Sequence, residues 1–159
     1  MYRENPTYGS KGHPLKFTDK ACPVLLRKRE GRLQILAFRH PKAGCQIVKG
    51  TVEEDEEPRQ TVLRELGEES GIDDARVIEP LGQLLFQKDK QRWHLFLCQV
   101  ERILPDAWEH FTTDGGGHNF AFFWHDLHEV PGDEWYPMFR SALAFLRERL
   151  GGEENRHAY

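Results

Sequence analysis

Gly50–Ile72 reads GTVEEDEEPRQTVLRELGEESGI, and this stretch decides how the rest of the chain is read. Pro58 suits the first position of a helix, where its missing N–H costs nothing. Gly71 suits the position just past a last turn. Between them the sequence predicts a helix from about Pro58 to Ser70. Val62, Leu63 and Leu66 supply its apolar stripe. Gly67 in mid-helix costs about 1 kcal/mol relative to alanine, which predicts close approach to a neighbouring strand. Glu65, Glu68 and Glu69 stand at i, i+3 and i+4 and share one helix face. Such a face repels itself unless a positive charge lies against it. Arg64 can pair with Glu68 four residues on. The most economical further counter-charge is a hard divalent cation, which prefers oxygen ligands.

The glutamates alone would read as a solvated, salt-bridged helix face. Their fixed spacing to flanking residues argues otherwise. The order is Gly50, five residues, Glu56, seven residues, Arg64-Glu65-Leu66, one residue, Glu68-Glu69, one residue, Gly71-Ile72. This resembles the Nudix box at every position. The resemblance implies an α/β fold, a Nudix-type α/β/α sandwich with a mixed β-sheet between helices. It implies a pyrophosphohydrolase that cleaves a phosphoanhydride in a nucleoside diphosphate linked to another moiety. Catalysis would rest on Glu65, Glu68, Glu69 and Arg64. The metal ligands would be the Gly50 carbonyl with Glu65, Glu68 and Glu69. Mg²⁺ is the expected ion, and Mn²⁺ suits the same oxygens. Glu56 and Gly71 would be structural parts of the box, with Glu56 and Arg64 bracing loop and helix. Divalent cations neutralise a phosphoanhydride, lower the pKa of bound water and align attack.

Members of this family take a general base either from the Glu65 position or from a later loop. The corresponding loop here reads TDGGGHNFAFFW, Thr113–Trp124. It lacks the glutamate common a few residues before the tryptophan and carries His118, Asn119 and Phe120 instead. Upstream acids are Asp114 and Glu109. The base therefore stays open between Glu65 and a loop residue such as His118 or Glu109, and an ordinary loop histidine is the simpler reading of His118. The run Gly115–Gly117 lacks the strand-to-helix context of a P-loop and reads as a flexible hairpin loop.

Lys49 precedes the box, which resembles the PKG segment of family members acting on dinucleoside polyphosphates and RNA 5′ ends. Val48 replaces the proline, and Cys45 stands near where a tryptophan is common. Lys49 and Arg39 are the candidate substrate-binding residues, with Lys42 a weaker third. Trp93, Phe120, Phe122 and Trp124 could stack on a base, although aromatics on strands read first as core. The acids from Glu53 to Glu57 read as a solvated loop that also favours the helix N-terminus. Two alternatives to the simple hydrolase remain. One is a non-catalytic nucleotide-binding or regulatory domain. The other is a dinucleoside polyphosphate or RNA 5′-end pyrophosphohydrolase.

Composition limits the classes. The 159 residues carry a net charge of -4 and 38% hydrophobic content, which suits one globular domain and argues against broad nucleic-acid binding. The partner expected is a nucleotide-type small molecule. No basic leader with an apolar core and no long apolar run is visible, so neither secretion nor membrane spanning is expected, and the cytoplasm is. Cys22, Cys45 and Cys98 show no CxxC and read as reduced core thiols. Residues 1–18 read as a polar arm, 19–150 as a single domain and 151–159 as a polar tail. The aromatic content leaves room for a homodimer. Strands are predicted at Ala21–Lys28 and Leu33–Arg39, joined at Glu30-Gly31. A short strand is expected over Gln46–Val48 and another over Ala75–Ile78. A hairpin should form from Gly82–Gln87 and Arg92–Gln99 around Lys88-Asp89-Lys90, and a late strand over Asn119–Trp124. Trp93–Val100 is apolar on both alternating sets, so both of its faces should be covered. Pro137–Leu150 reads as an amphipathic helix with Phe139, Leu143, Leu146 and Leu150 facing inward.

Overall fold

The computed structural model describes residues 16–113 and 116–151. Strand β1 (Thr18–Arg29) turns at Glu30-Gly31 into β2 (Arg32–His40), followed by the short β3 (Gly44–Gln46) and β4 (Gly50–Thr51). Helix α1 (Pro58–Ser70) leads to β5 (Arg76–Phe86), β6 (Gln91–Gln99), β7 (Trp108–Thr112), β8 (His118–Asp126) and helix α2 (Pro137–Leu150). Both helices have the predicted bounds, because Pro58, Gly71 and Pro137 are local punctuation. Gly71 takes φ 81°, and a side chain there would also meet His110 Nδ1 at 2.9 Å.

The strands lie in the order β5-β6-β1-β2-β8-β7, with β3 on β2 and β4 on β1. Strand β1 is shared between two groups. Its first part, Thr18–Leu25, runs parallel to Gln91–Cys98 of β6. Its end, Leu26–Arg29, pairs antiparallel with β2. The other strand pairings are antiparallel, so the sheet is mixed.

Period-two alternation divides the core. Cys22 and Val24, Ile35 and Ala37, and Trp93, Leu95 and Leu97 face α2 and pack on Phe139, Leu143 and Leu146. Ala21 and Leu25, Leu36 and Phe38, Phe96 and Cys98, and Phe120 and Phe122 face α1 and pack on Val62 and Leu66. Strand β6 is covered on both sides, as its two apolar sets require. The three cysteines are buried free thiols, and burial pushes those of Cys22 and Cys98 up to about 12.

Several expectations need correction. Leu63 is exposed and does not join the α1 stripe. Gly67 has no close neighbour: a side chain there would meet only Ile72 O, at 3.7 Å. The two strands expected over Ala75–Ile78 and Gly82–Gln87 are one strand with register shifts at Val77/Glu79 and Pro80/Gly82, so the breaks are bulges rather than turns. Strand β7 was not expected. Residues 1–15, 114, 115 and 152–159 lie outside the described residues, and with them most of the arm, nearly all of the tail, Asp114 and Gly115.

Leu66 is fully buried between α1 and the sheet. Leu66→Ala should cost about 2–5 kcal/mol of unfolding free energy, measured by urea denaturation. A loss below ~1 kcal/mol would contradict the packing.

Candidate active site

The box helix is fixed at both ends before any charge is considered. The Glu57 backbone N–H donates to Gln60 Oε1 at 2.8 Å, satisfying the chain entry. At the far end Trp108 Nε1 donates to Ser70 O at 2.9 Å and stacks on Phe122 with centroids 5.0 Å apart. The helix therefore cannot rotate without breaking core contacts, and its glutamate face is aimed.

Arg64 organises that face. Its Nε donates to Glu56 Oε2 at 2.7 Å and its Nη2 to Glu56 Oε1 at 2.8 Å, a bidentate pair. Nη2 also donates to Thr51 O at 3.0 Å. Nη1 reaches Glu65 Oε1 at 2.8 Å and Glu68 Oε2 at 3.3 Å. Glu56 accepts further from Thr61 Oγ1 at 2.7 Å and from the Glu53 backbone N–H at 3.2 Å. These donors, above all Arg64, hold the Glu56 carboxyl down at about 2. The acidic loop is thus tied to the helix through Glu56, while Glu54, Asp55 and Glu57 stay exposed.

Glu65 and Glu69 are buried carboxylates. Burial raises the Glu65 carboxyl, and its hydrogen bonds with Glu69 and Arg64 oppose that rise. Gly50 packs so tightly on Glu65 that any side chain at position 50 would overlap the carboxylate. The close approach that only glycine permits is at Gly50, not at Gly67.

These groups open into a cleft of about 590 Å³ where β1 and β4 part from β2 and β8. Glu53, Arg64, Glu65, Glu68 and Glu69 line its helix side. Lys20, Lys49 and Thr51, then His40, His118 and Phe120, line the strands. Lys20 Nζ donates to Thr51 Oγ1 at 2.6 Å. The Lys49 ammonium sits 4.7 Å from the Trp93 ring centre and 5.3 Å from that of Phe139, and burial lowers its pKa. Aromatic faces favour a cation there without neutralising it.

The structure brings Lys49 and Gly50 to the same cleft as the glutamates, but not Arg39. On β2 the alternation sends Phe38 and His40 to the α1 side and Arg39 to the other. Arg39 lies over Phe123 at 4.8 Å and donates to Cys45 Sγ at 3.5 Å. Lys42 is exposed in the turn after β2 and does not line the cleft. Glu109 pairs in register with Ala121, the neighbour of Arg39, and is exposed on the face away from α1. Of the open candidates for a base, Glu65 and His118 line the cleft and Glu109 does not. Trp93 and Phe122 are core, and Trp124 donates to Pro105 O under Arg27, outside the cleft. Lys20, His40 and Thr51 were missed. Period two along β2 from the core residue Phe38 would have found His40; Lys20 and Thr51 depend on the β1–β4 pairing.

Among the described residues no three His, Cys, Asp or Glu side chains converge as a formed cation cage. Arg64 takes one oxygen each of Glu65 and Glu68. The donors still fit a hard divalent ion. They are carboxyl oxygens, two of the groups buried, gathered on one helix face, and oxygen is the donor such an ion prefers.

A family model described as NUDIX domain matches residues 18–144. No curated protein matches the chain at a significant level. Among solved structures, an Ap4A hydrolase binary complex from C. elegans aligns with TM-score 0.62 and 20% identity, over 85% of this chain and 98% of that one. An ADP-ribose pyrophosphatase from Streptococcus suis aligns with TM-score 0.61 and 16% identity, over 86% and 94%. A UDP-X diphosphatase aligns with TM-score 0.64 and 13% identity, over 94% and 70%. At these identities the solved structures share the fold.

The Arg64–Glu56 pair sets an acid limit. Glu56 titrates at about 2 when folded, against an ordinary 4.5. A depressed carboxyl contributes its stability above the unfolded value and loses it as pH falls toward the folded one. In Arg64→Gln the extra loss of stability between pH ~4.5 and ~2 should flatten, as read from urea midpoints across that range. An acid slope equal to wild type would refute the assignment.

Proposed function

The chain belongs to the NUDIX family, and we propose that it is a pyrophosphohydrolase that uses a divalent cation, Mg²⁺ first and Mn²⁺ second, to hydrolyse a nucleoside diphosphate linked to a further group. The observation that carries this reading is the cleft itself. Buried carboxylates on α1 share it with a half-buried lysine at its strand side. An acidic wall alone would hold a cation, and a basic wall alone would hold an anion. Both together suit a metal-bound polyphosphate. The substrates named for the similar structures, Ap4A, ADP-ribose and UDP-X, are all nucleotides, which supports the class without choosing among them.

Glu65, Glu68 and Glu69, with the Gly50 carbonyl, would hold the cation, which supplies charge neutralisation and a bound water of lowered pKa. Glu56 keeps Arg64 in place, and Arg64 keeps the helix face and the Thr51 carbonyl in register. Lys49 binds a phosphate oxygen of the substrate. Its rings and its burial exclude water, so a charge-assisted hydrogen bond formed there is worth more than one at the surface. Three buried free thiols fit a reducing compartment, and we place the enzyme in the cytoplasm.

Glu68→Gln and Glu69→Gln should each lower hydrolysis by at least ~10²-fold, the loss typical when transition-state electrostatics are removed. The assay is a panel of nucleoside triphosphates, dinucleoside polyphosphates, nucleotide sugars and ADP-ribose with Mg²⁺ or Mn²⁺. Chelation should abolish turnover and restored cation should return it. Variants as fast as wild type on every substrate hydrolysed would overturn the assignment.

A further inference from the structure

His40 ends β2 and faces the cleft beside the box, yet the reaction as described above makes no use of it. Its environment fixes its chemistry. The backbone N–H groups of Lys42 and Ala43 both donate to His40 Nδ1, each at 3.0 Å. A ring nitrogen that accepts two N–H groups carries a lone pair, so the proton of the neutral ring must be on Nε2. Charging the ring would place a third N–H against those two. The ring plane is also set. His118 lies against it with centroids 4.7 Å apart and Phe120 at 5.3 Å. Among the described residues nothing accepts the Nε2–H.

We infer that His40 is a neutral, tautomer-locked hydrogen-bond donor whose Nε2–H binds a phosphate oxygen of the substrate from the strand side of the cleft. The inference rests on the proposed function and adds a substrate contact to it. The chemistry favours a neutral donor at this place. Lys20 and Lys49 already supply positive charge to the cleft, and a bound divalent cation would add more. A cationic imidazole would repel all of these, whereas a neutral N–H adds a directed hydrogen bond at no such cost. Burial, His118 and Lys42 all lower the His40 pKa from its ordinary 6.5. A lowered value keeps the ring neutral at and above neutral pH.

Two substitutions separate the two ring nitrogens. His40→Asn places an amide oxygen near the Nδ1 position and keeps the acceptor for the turn, but removes the donor. His40→Gln places an amide N–H near the Nε2 position and keeps the donor. His40→Asn should keep the wild-type melting temperature and raise KM by roughly tenfold or more with kcat little changed, as for one lost hydrogen bond to a charged acceptor. His40→Gln should keep a KM near wild type. In wild-type protein, nitrogen-15 NMR should show His40 neutral with the proton on Nε2 at pH ~7. That proton signal should shift when inorganic pyrophosphate and Mg²⁺ are added. An Nδ1–H tautomer, a cationic ring, an unmoved signal or an unchanged KM in His40→Asn would each overturn the inference while hydrolysis stands. If wild type hydrolyses no nucleotide, the proposed function falls, and the tautomer and the pyrophosphate shift still decide the role of His40.

Discussion

The arrangement depends on one guanidinium. Arg64 holds Glu56 through two bonds on one side and Glu65 and Glu68 through one nitrogen on the other. Without it the acidic loop before α1 would lose its bidentate tie to the helix and keep the Glu56–Thr61 bond, and Glu65 and Glu68 would lose their shared partner. Lysine could not substitute, since only the planar fork matches a carboxylate at two points while keeping a third nitrogen free. The division of labour is uneven. The Glu56 contacts are short, and the carboxyl is held well below its ordinary range. The Glu68 contact is longer, and Glu68 is exposed. A cation held by Glu65 and Glu68, as in the proposed function, would displace Nη1 alone and leave the brace to Glu56 intact.

The cleft follows from the path of β1. Strand β1 is paired in parallel with β6 over Thr18–Leu25 and in antiparallel with β2 over Leu26–Arg29, so its two neighbours hold different halves of it. The pairing changes from one partner to the other near Leu25 and Leu26. At the beginning of β1 this leaves a gap toward the end of β2 and the beginning of β8. Lys20, Lys49 and Gly50 border it from one side, and His40, His118 and Phe120 from the other. The hydrophobic clusters above and below the sheet keep the gap open, since filling it would require moving Trp93 or Phe38 from close-packed positions.

What could be read from the sequence was local. Pro58, Gly71 and Pro137 mark helix ends by their own backbone chemistry, and the box residues declare themselves by spacing. What could not be read was register. A single residue separates Arg39 from His40, and strand pleating sends one to each face. The charge of Arg39 drew the sequence reading, whereas its position two residues from Ala37, a residue facing α2, sends it away from the glutamates. Strand β7 was hidden for a similar reason. Its five residues, Trp108–Thr112, alternate too briefly to signal a strand, and it is fixed by distant partners, Trp108 on Phe122 and Ser70. In β5, Pro80 and Gly82 imitate a turn although the chain continues through bulges. Leu63 is apolar and lies on the correct helix, but its angular position leaves it in solvent.

The two walls of the cleft make different demands on charge. On α1 the buried carboxylates need positive charge, and Arg64 provides it incompletely. On the strands, burial disfavours the charged form of Lys49, while two ring faces and the acids Glu69 and Asp89 favour it. Each wall is left with charge that its own contacts offset only in part, and burying a charge is costly to the extent that it is not paired. Pairing the walls with each other directly would collapse the cleft. In the proposed function, a cation on one side and a polyphosphate between them would satisfy both without moving either element. An acidic wall and a basic wall kept apart, on a helix and a sheet, suit a ligand that carries both signs, and the metal-bound nucleotide of the proposed function would be such a ligand.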